Sequence, residues 1–150
     1  MMTEQDPLHA LLQKTSRTFA LSIPMLPEPT RGQVAIAYLV FRIIDTLEDA
    51  VHWPPPRRLK ALAEMKALLG SLDPEQGRRA AARWLEHPPL DHEGYLELLA
   101  ATPRVLEELQ ALPEAARNSI VRHALRSAAG MSVFVDQSDP SGHLRLQTLE

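Results

Sequence analysis

The stretch Val34-Ala35-Ile36-Ala37-Tyr38-Leu39-Val40-Phe41-Arg42-Ile43-Ile44 constrains this chain more than any other part of it. It runs without a break into Asp45-Thr46-Leu47-Glu48-Asp49. At roughly 100° per residue, Tyr38, Arg42, Asp45 and Asp49 fall on one line of a helix, and Glu48 flanks that line. Leu39, Val40, Ile43, Ile44, Leu47 and Val51 cover the opposite face. A helix that is apolar over more than half of its circumference needs neighbours on several sides. The stretch therefore predicts a central helix over Thr30–His52, with one polar stripe along it.

That stripe is electrostatically unfavourable by itself. Like charges four residues apart destabilise a helix by roughly 0.2–0.5 kcal/mol. Asp45 and Asp49 stand in that relation, and Arg42 relieves part of it. A divalent cation would relieve more. Mg²⁺ takes hard oxygen ligands, often one or two carboxylates, and completes its octahedron with water and substrate phosphate. The same string also reads as a solvated helix face on which Arg42 pairs with Asp45 to little effect. Spacing alone leaves both readings open.

The remainder of the chain reads as helix. Aromatics make up only 5% of the 150 residues, too few for a typical sheet protein, and Ala, Leu, Glu and Arg dominate. No segment alternates with period two over a strand's length. The prolines punctuate helices predicted at Pro7–Thr15, Ser16–Ser22, Thr30–His52, Arg57–Leu69, Pro74–Leu85, His92–Leu112 and Pro113–Asp136. Pro103 is expected to start a new turn or kink the sixth of these. Pro113 is expected at the first position of the seventh. Asp73-Pro74 reads as an N-cap followed by proline at the first helical position. The fold class is all-α, in one domain over residues 1–150.

Charge and composition exclude several functions. The net charge of −3 offers no basic footprint for nucleic acid. Without cysteine there is no disulfide framework, thiolate metal site or cysteine nucleophile. The acidic N-terminus lacks the apolar core of a signal peptide, and no apolar run is long enough to span a membrane. A cytoplasmic location is the expectation. His143-Leu144-Arg145-Leu146-Gln147-Thr148-Leu149-Glu150 looks like the approach to a further helix with no C-cap, as a truncated chain or a frayed terminus would show.

A second candidate site lies at Thr15-Ser16-Arg17-Thr18-Phe19. Read plainly, Thr15 or Ser16 is an N-cap and Arg17 a surface charge. Read functionally, hydroxyls and backbone N–H groups at a helix start, joined by an arginine, form an anion clamp.

Taken in order, three elements form a recognisable set. They are Ser16-Arg17-Thr18-Phe19-Ala20, Pro24-x-x-Pro27, and Ala37-Tyr38-Leu39-Val40-Phe41-Arg42-x-x-Asp45-Thr46-x-Glu48-Asp49. The set resembles the squalene/phytoene synthase family, most strongly over residues 15–53. Gly130-Met131-x-x-Phe134 is a weaker match. The Asp-Thr-x-Glu-Asp form looks more like squalene synthases than phytoene synthases. The resemblance implies an isoprenoid-synthase helical bundle. It also implies Mg²⁺-dependent head-to-head condensation of two prenyl diphosphates, with farnesyl diphosphate to squalene favoured. Asp45 and Asp49 would then hold Mg²⁺ against the substrate diphosphate, with Glu48 as a direct or water-mediated ligand. Ser16, Arg17 and Arg42 would bind the diphosphate, and Tyr38 would line the ionisation site. Phe19, Leu21, Val34, Phe41, Met131 and Phe134 are either cavity walls or ordinary core. A squalene-forming enzyme would also need a reductant such as NADPH, for which no nicotinamide site is recognisable. Peripheral membrane contact is a further expectation.

The chain departs from the family in one respect. Such enzymes carry a second acidic motif on a later helix, with a tyrosine ahead of it, and neither is found here. The expectation is an N-terminal half, inactive alone and prone to self-association through exposed apolar surface. Substitutes are weak. Asp136-Gln137-Ser138-Asp139 runs into a Pro-Ser-Gly turn. Glu107-Glu108 reads as a solvated edge, Tyr95 as ordinary packing, and His52 as a helix-end residue. A non-catalytic scaffold with the same fold is the rival. A single acidic motif suits that rival, but the intact set of Arg17, Tyr38, Arg42, Asp45, Glu48 and Asp49 is hard to explain by it.

Overall fold

Prolines and short polar caps set where the helices begin. The computed structural model describes residues 7–137, with Pro7, Arg17 and Thr18 in backbone only. The described residues form α1 (Pro7–Thr15), α2 (Arg17–Ser22), a 3-10 turn (Ile23–Met25), α3 (Thr30–Glu48), α4 (Pro55–Ser71), α5 (Pro74–Glu86), α6 (Glu93–Ala100), α7 (Thr102–Gln110) and α8 (Glu114–Asp136). No strand occurs among them, so the all-α expectation holds. Ser16 caps α2, its Oγ accepting the Phe19 N–H at 3.3 Å. Asp73 caps α5 through the Glu75 N–H at 2.9 Å, with Pro74 at the first position. Asp139 and residues 143–150 lie outside the described residues.

Several predicted boundaries move. The central helix stops at Glu48 instead of His52, because the chain after it is pinned sideways. The His52 N–H donates to the Pro89 carbonyl at 2.9 Å, and the buried Trp53 indole donates to the His87 carbonyl at 2.6 Å. Val51, expected on the buried face, therefore falls in the turn and is 79% exposed, while Ala50 is buried. Helix α4 starts at Pro55, two residues before the predicted Arg57. Two prolines suit a first turn whose N–H groups need no partner. The predicted His92–Leu112 helix is two helices broken at Ala101, with Pro103 early in the second. Pro113 precedes α8 as its N-cap instead of opening it.

Helix α3 is central, as its apolar circumference requires. It packs against α1, α4, α6, α7, α8 and the 3-10 turn. Ala35, Ile36, Leu39, Val40, Ile43, Ile44 and Leu47 are buried. Val34, Phe41 and Met131 pack half-buried against that core. The apolar surface that remains exposed is carried elsewhere, by Phe19, Leu21, Met25, Val51, Val133 and Phe134. Glu64 ties α4 to α5: it pairs with Arg83 at 2.6 Å and accepts the fully buried Trp84 indole N–H at 3.2 Å. Gly94 lets α6 approach α1, where a Cβ would come within 2.9 Å of Lys14 Cβ and its carbonyl oxygen. No helix among the described residues is long and apolar enough to cross a membrane.

Candidate functional site

The last turn of α3 holds the acidic residues. Asp45 and Glu48 are helical, and Asp49 is the C-cap, its N–H donating to the Asp45 carbonyl at 2.8 Å. Thr46 turns inward, its hydroxyl bonded to the Arg42 carbonyl at 2.7 Å, which leaves the carboxylates on the outer face. The C-terminal end of a helix carries partial negative charge from its unpaired carbonyls. Three carboxylates there sit at the unfavourable end of the dipole.

The protonation of the cluster shows that strain. Glu48 is pushed up to about 7, first by burial, then by a hydrogen bond shared with Asp49 and by the charges of Asp49 and Asp45, against the pull of Arg58. Burial also lifts Asp45 above its ordinary range; Arg42 opposes that lift and Asp49 adds to it.

Two arginines flank the cluster. Arg42 Nη1 lies 3.5 Å from Asp45 Oδ2, and Arg42 Nη2 donates to the Tyr95 hydroxyl. The Arg42 guanidinium carbon is 4.3 Å from the Tyr95 ring centroid. Tyr95, read from sequence as ordinary packing, is thus joined to the site. The Tyr95 ring also stacks on His92, centroids 4.0 Å apart at 18°. Arg58, not singled out from sequence, reaches back from α4. Its Nη1 donates to the Glu48 carbonyl at 3.0 Å, satisfying one of the open carbonyls at the end of α3. The Nε atoms of Arg42 and Arg58 are buried with no hydrogen-bond partner among the described residues.

Further along the stripe, the Tyr38 ring meets Phe19 of α2, centroids 4.5 Å apart. That contact sets the start of α2 beside the N-terminal part of the stripe. Ser16 Oγ serves the helix cap as an acceptor, and the Arg17 side chain lies outside the described residues. An open depression of about 390 Å³ is lined by Lys14, Thr15, Ser16, Ala20 and Leu21, and none of the acidic residues lines it. His52 turns to the connection after α5, with Nε2 3.5 Å from Asp91. Glu108 pairs with Arg104 at 2.9 Å and Glu107 is exposed. Among the described residues no group of three or more His, Cys, Asp or Glu could hold a metal unaided. Asp45, Glu48 and Asp49 do not by themselves form such a group.

Comparison with known proteins bears on the family of the chain. The profile of the family described as squalene/phytoene synthase matches residues 12–149. A squalene synthase of Schizosaccharomyces pombe is 28% identical over 142 residues, which cover 95% of this chain and 29% of that protein. One from Homo sapiens is 29% identical over 126 residues, 84% of this chain and 27% of the relative. One from Solanum lycopersicum is 50% identical over 46 residues, 31% of this chain and 11% of the relative. The chain spans less than a third of the length of these relatives.

Proposed function

The chain belongs to the squalene/phytoene synthase family, and from that premise we propose that the α3 stripe binds a prenyl diphosphate for ionisation in a head-to-head condensation. Farnesyl diphosphate is the favoured substrate and squalene the favoured product. One observation carries the reading. Three carboxylates crowd the negative end of a helix, Asp45 and Glu48 half-buried and Asp49 exposed, with Glu48 held towards its protonated form and two arginines alongside. Such an arrangement is relieved by a cation that brings its own anionic ligand.

The residues fit Mg²⁺ in their chemistry. Asp45, Glu48 and Asp49 offer hard oxygens, and Asp45 and Glu48 both bind protons more readily than usual, first through burial and then through the neighbouring carboxylates, against the pull of Arg42 on Asp45 and of Arg58 on Glu48. Bound there, Mg²⁺ would neutralise charge on the leaving diphosphate. The side chains have their own tasks. Arg42 keeps donors for phosphate oxygens beyond its bond to Tyr95, and Ser16 and Arg17 would add theirs from the start of α2. Tyr38 and Phe19 present ring faces beside the stripe, where an allylic cation needs an apolar, water-poor wall. NADPH is the expected reductant for a squalene product. The substrate is amphiphilic, so peripheral contact with a membrane belongs to the proposal.

The experiment is prenyl transfer from farnesyl diphosphate with Mg²⁺, products resolved by chain length. The 150-residue chain carries one acidic motif, and we expect no C30 product from it alone. In a longer form that does react, Asp45→Asn lowers turnover by orders of magnitude with unchanged circular dichroism. Near-normal turnover by that variant would remove Asp45 from the site and favour the scaffold reading.

A further inference from the structure

We propose that Tyr95 is a positioning residue that holds Arg42 off Asp45 and aims it at the diphosphate; the assignment rests on the reading of the site given above. Arg42 has two ways to satisfy its guanidinium. It can close on Asp45 as a bidentate pair, the strongest geometry open to an arginine and a carboxylate, with N–O distances near 2.7–2.9 Å. Or it can stand away from it. The structure shows the second: the nearest approach to Asp45 is 3.5 Å, and the direct bond goes to the Tyr95 hydroxyl instead.

The Tyr95 ring reinforces this. It lies 4.3 Å from the Arg42 guanidinium carbon and stacks on His92 with centroids 4.0 Å apart, so guanidinium and imidazole both pack on the phenol ring. The stack is anchored on the α6 side, where His92 Nδ1 accepts the Tyr95 N–H at 3.2 Å and caps the helix. Two consequences follow for binding. The Asp45 carboxylate stays available to a cation instead of being closed off by Arg42. The Arg42 fork is already fixed, so less side-chain freedom is lost when a phosphate oxygen arrives. The phenol acts as acceptor only and touches no reacting atom.

The test is a double-mutant cycle read by titration calorimetry with farnesyl thiodiphosphate and Mg²⁺, on the wild type, Tyr95→Phe, Arg42→Lys and the double variant. Tyr95→Phe keeps the ring and the stack and removes the acceptor. We expect it to weaken binding by about tenfold, the size of one lost hydrogen bond to a charged group, with little change in unfolding midpoint. Tyr95→Leu, which also removes the stack, weakens it further. The effect of Tyr95→Phe should largely vanish in the Arg42→Lys background, because Tyr95 acts through Arg42. Wild-type binding with unchanged affinity in Tyr95→Phe overturns this assignment and leaves the site reading intact. So does full additivity, which would place the action of Tyr95 elsewhere. Absence of wild-type binding overturns both.

Discussion

Glu48 shows most directly what the acidic turn does to the molecule. Its carboxyl titrates near 7 in the folded chain against 4.5 when unperturbed, so the folded state keeps a proton that the unfolded state gives up. That contribution to stability is complete below about pH 4.5 and is lost as the pH rises through 7. The metal-free protein should therefore unfold at lower temperature at about pH 8 than at about pH 5, and Glu48→Gln should flatten the difference. Thermal unfolding followed by circular dichroism checks this; an unaltered pH dependence in Glu48→Gln would show that other groups carry it. Arg42→Lys is expected to weaken diphosphate binding about tenfold through loss of the planar fork, whereas an arginine merely pairing with Asp45 on a wet surface would be replaced almost silently. The stripe itself was legible in the sequence because Tyr38, Arg42, Asp45, Glu48 and Asp49 lie within a few turns of one helix. Tyr95 was not, because it reaches Arg42 from 53 residues away. Arg58 left one signal that could have been used. With Arg57 it sits near the start of α4, where the helix dipole disfavours a cation and no acid accompanies it. Such a placement points to negative charge nearby, and Glu48 supplies it.

At the scale of elements, helix identity followed from periodicity and helix ends from contacts that periodicity does not see. The end of α3 is set by the hydrogen bonds of His52 and Trp53 to the 87–89 segment, a long-range event. The break at Ala101 was half legible: Pro103 marked it, and the buried Thr102 hydroxyl, bonded to the Leu99 carbonyl at 2.8 Å, helps to close the first helix. Two glycines test the packing between elements. Gly94→Ala places a methyl 2.9 Å from the α1 backbone and should destabilise by about 1–3 kcal/mol in urea unfolding. Gly70→Ala meets nothing within 4 Å in α4 and should stabilise by about 0.5–1 kcal/mol. If both substitutions moved the midpoint the same way, the close approach of α1 and α6 would be wrong.

At the scale of the whole molecule, the apolar circumference of the central helix calls for neighbours on several sides. The structure covers α3 with α1, α4, α6, α7 and α8 and leaves Leu21, Met25 and Val133 exposed instead. Self-association should therefore arise from the α2 end. Leu21→Ser with Met25→Ser should lower the apparent mass in sedimentation without shifting the unfolding midpoint; an unchanged mass would place the contact elsewhere. On the other surface, the proposal is that the α3 stripe offers a partial metal shell that only a diphosphate would complete. Its most direct test is calorimetric titration of Mg²⁺ into the protein with and without farnesyl thiodiphosphate. We expect weak or undetectable Mg²⁺ binding alone, clear binding when the thiodiphosphate is present, and loss of that binding in Asp45→Asn. Tight Mg²⁺ binding without the thiodiphosphate, or none with it, would rule out a shell shared between the stripe and a diphosphate.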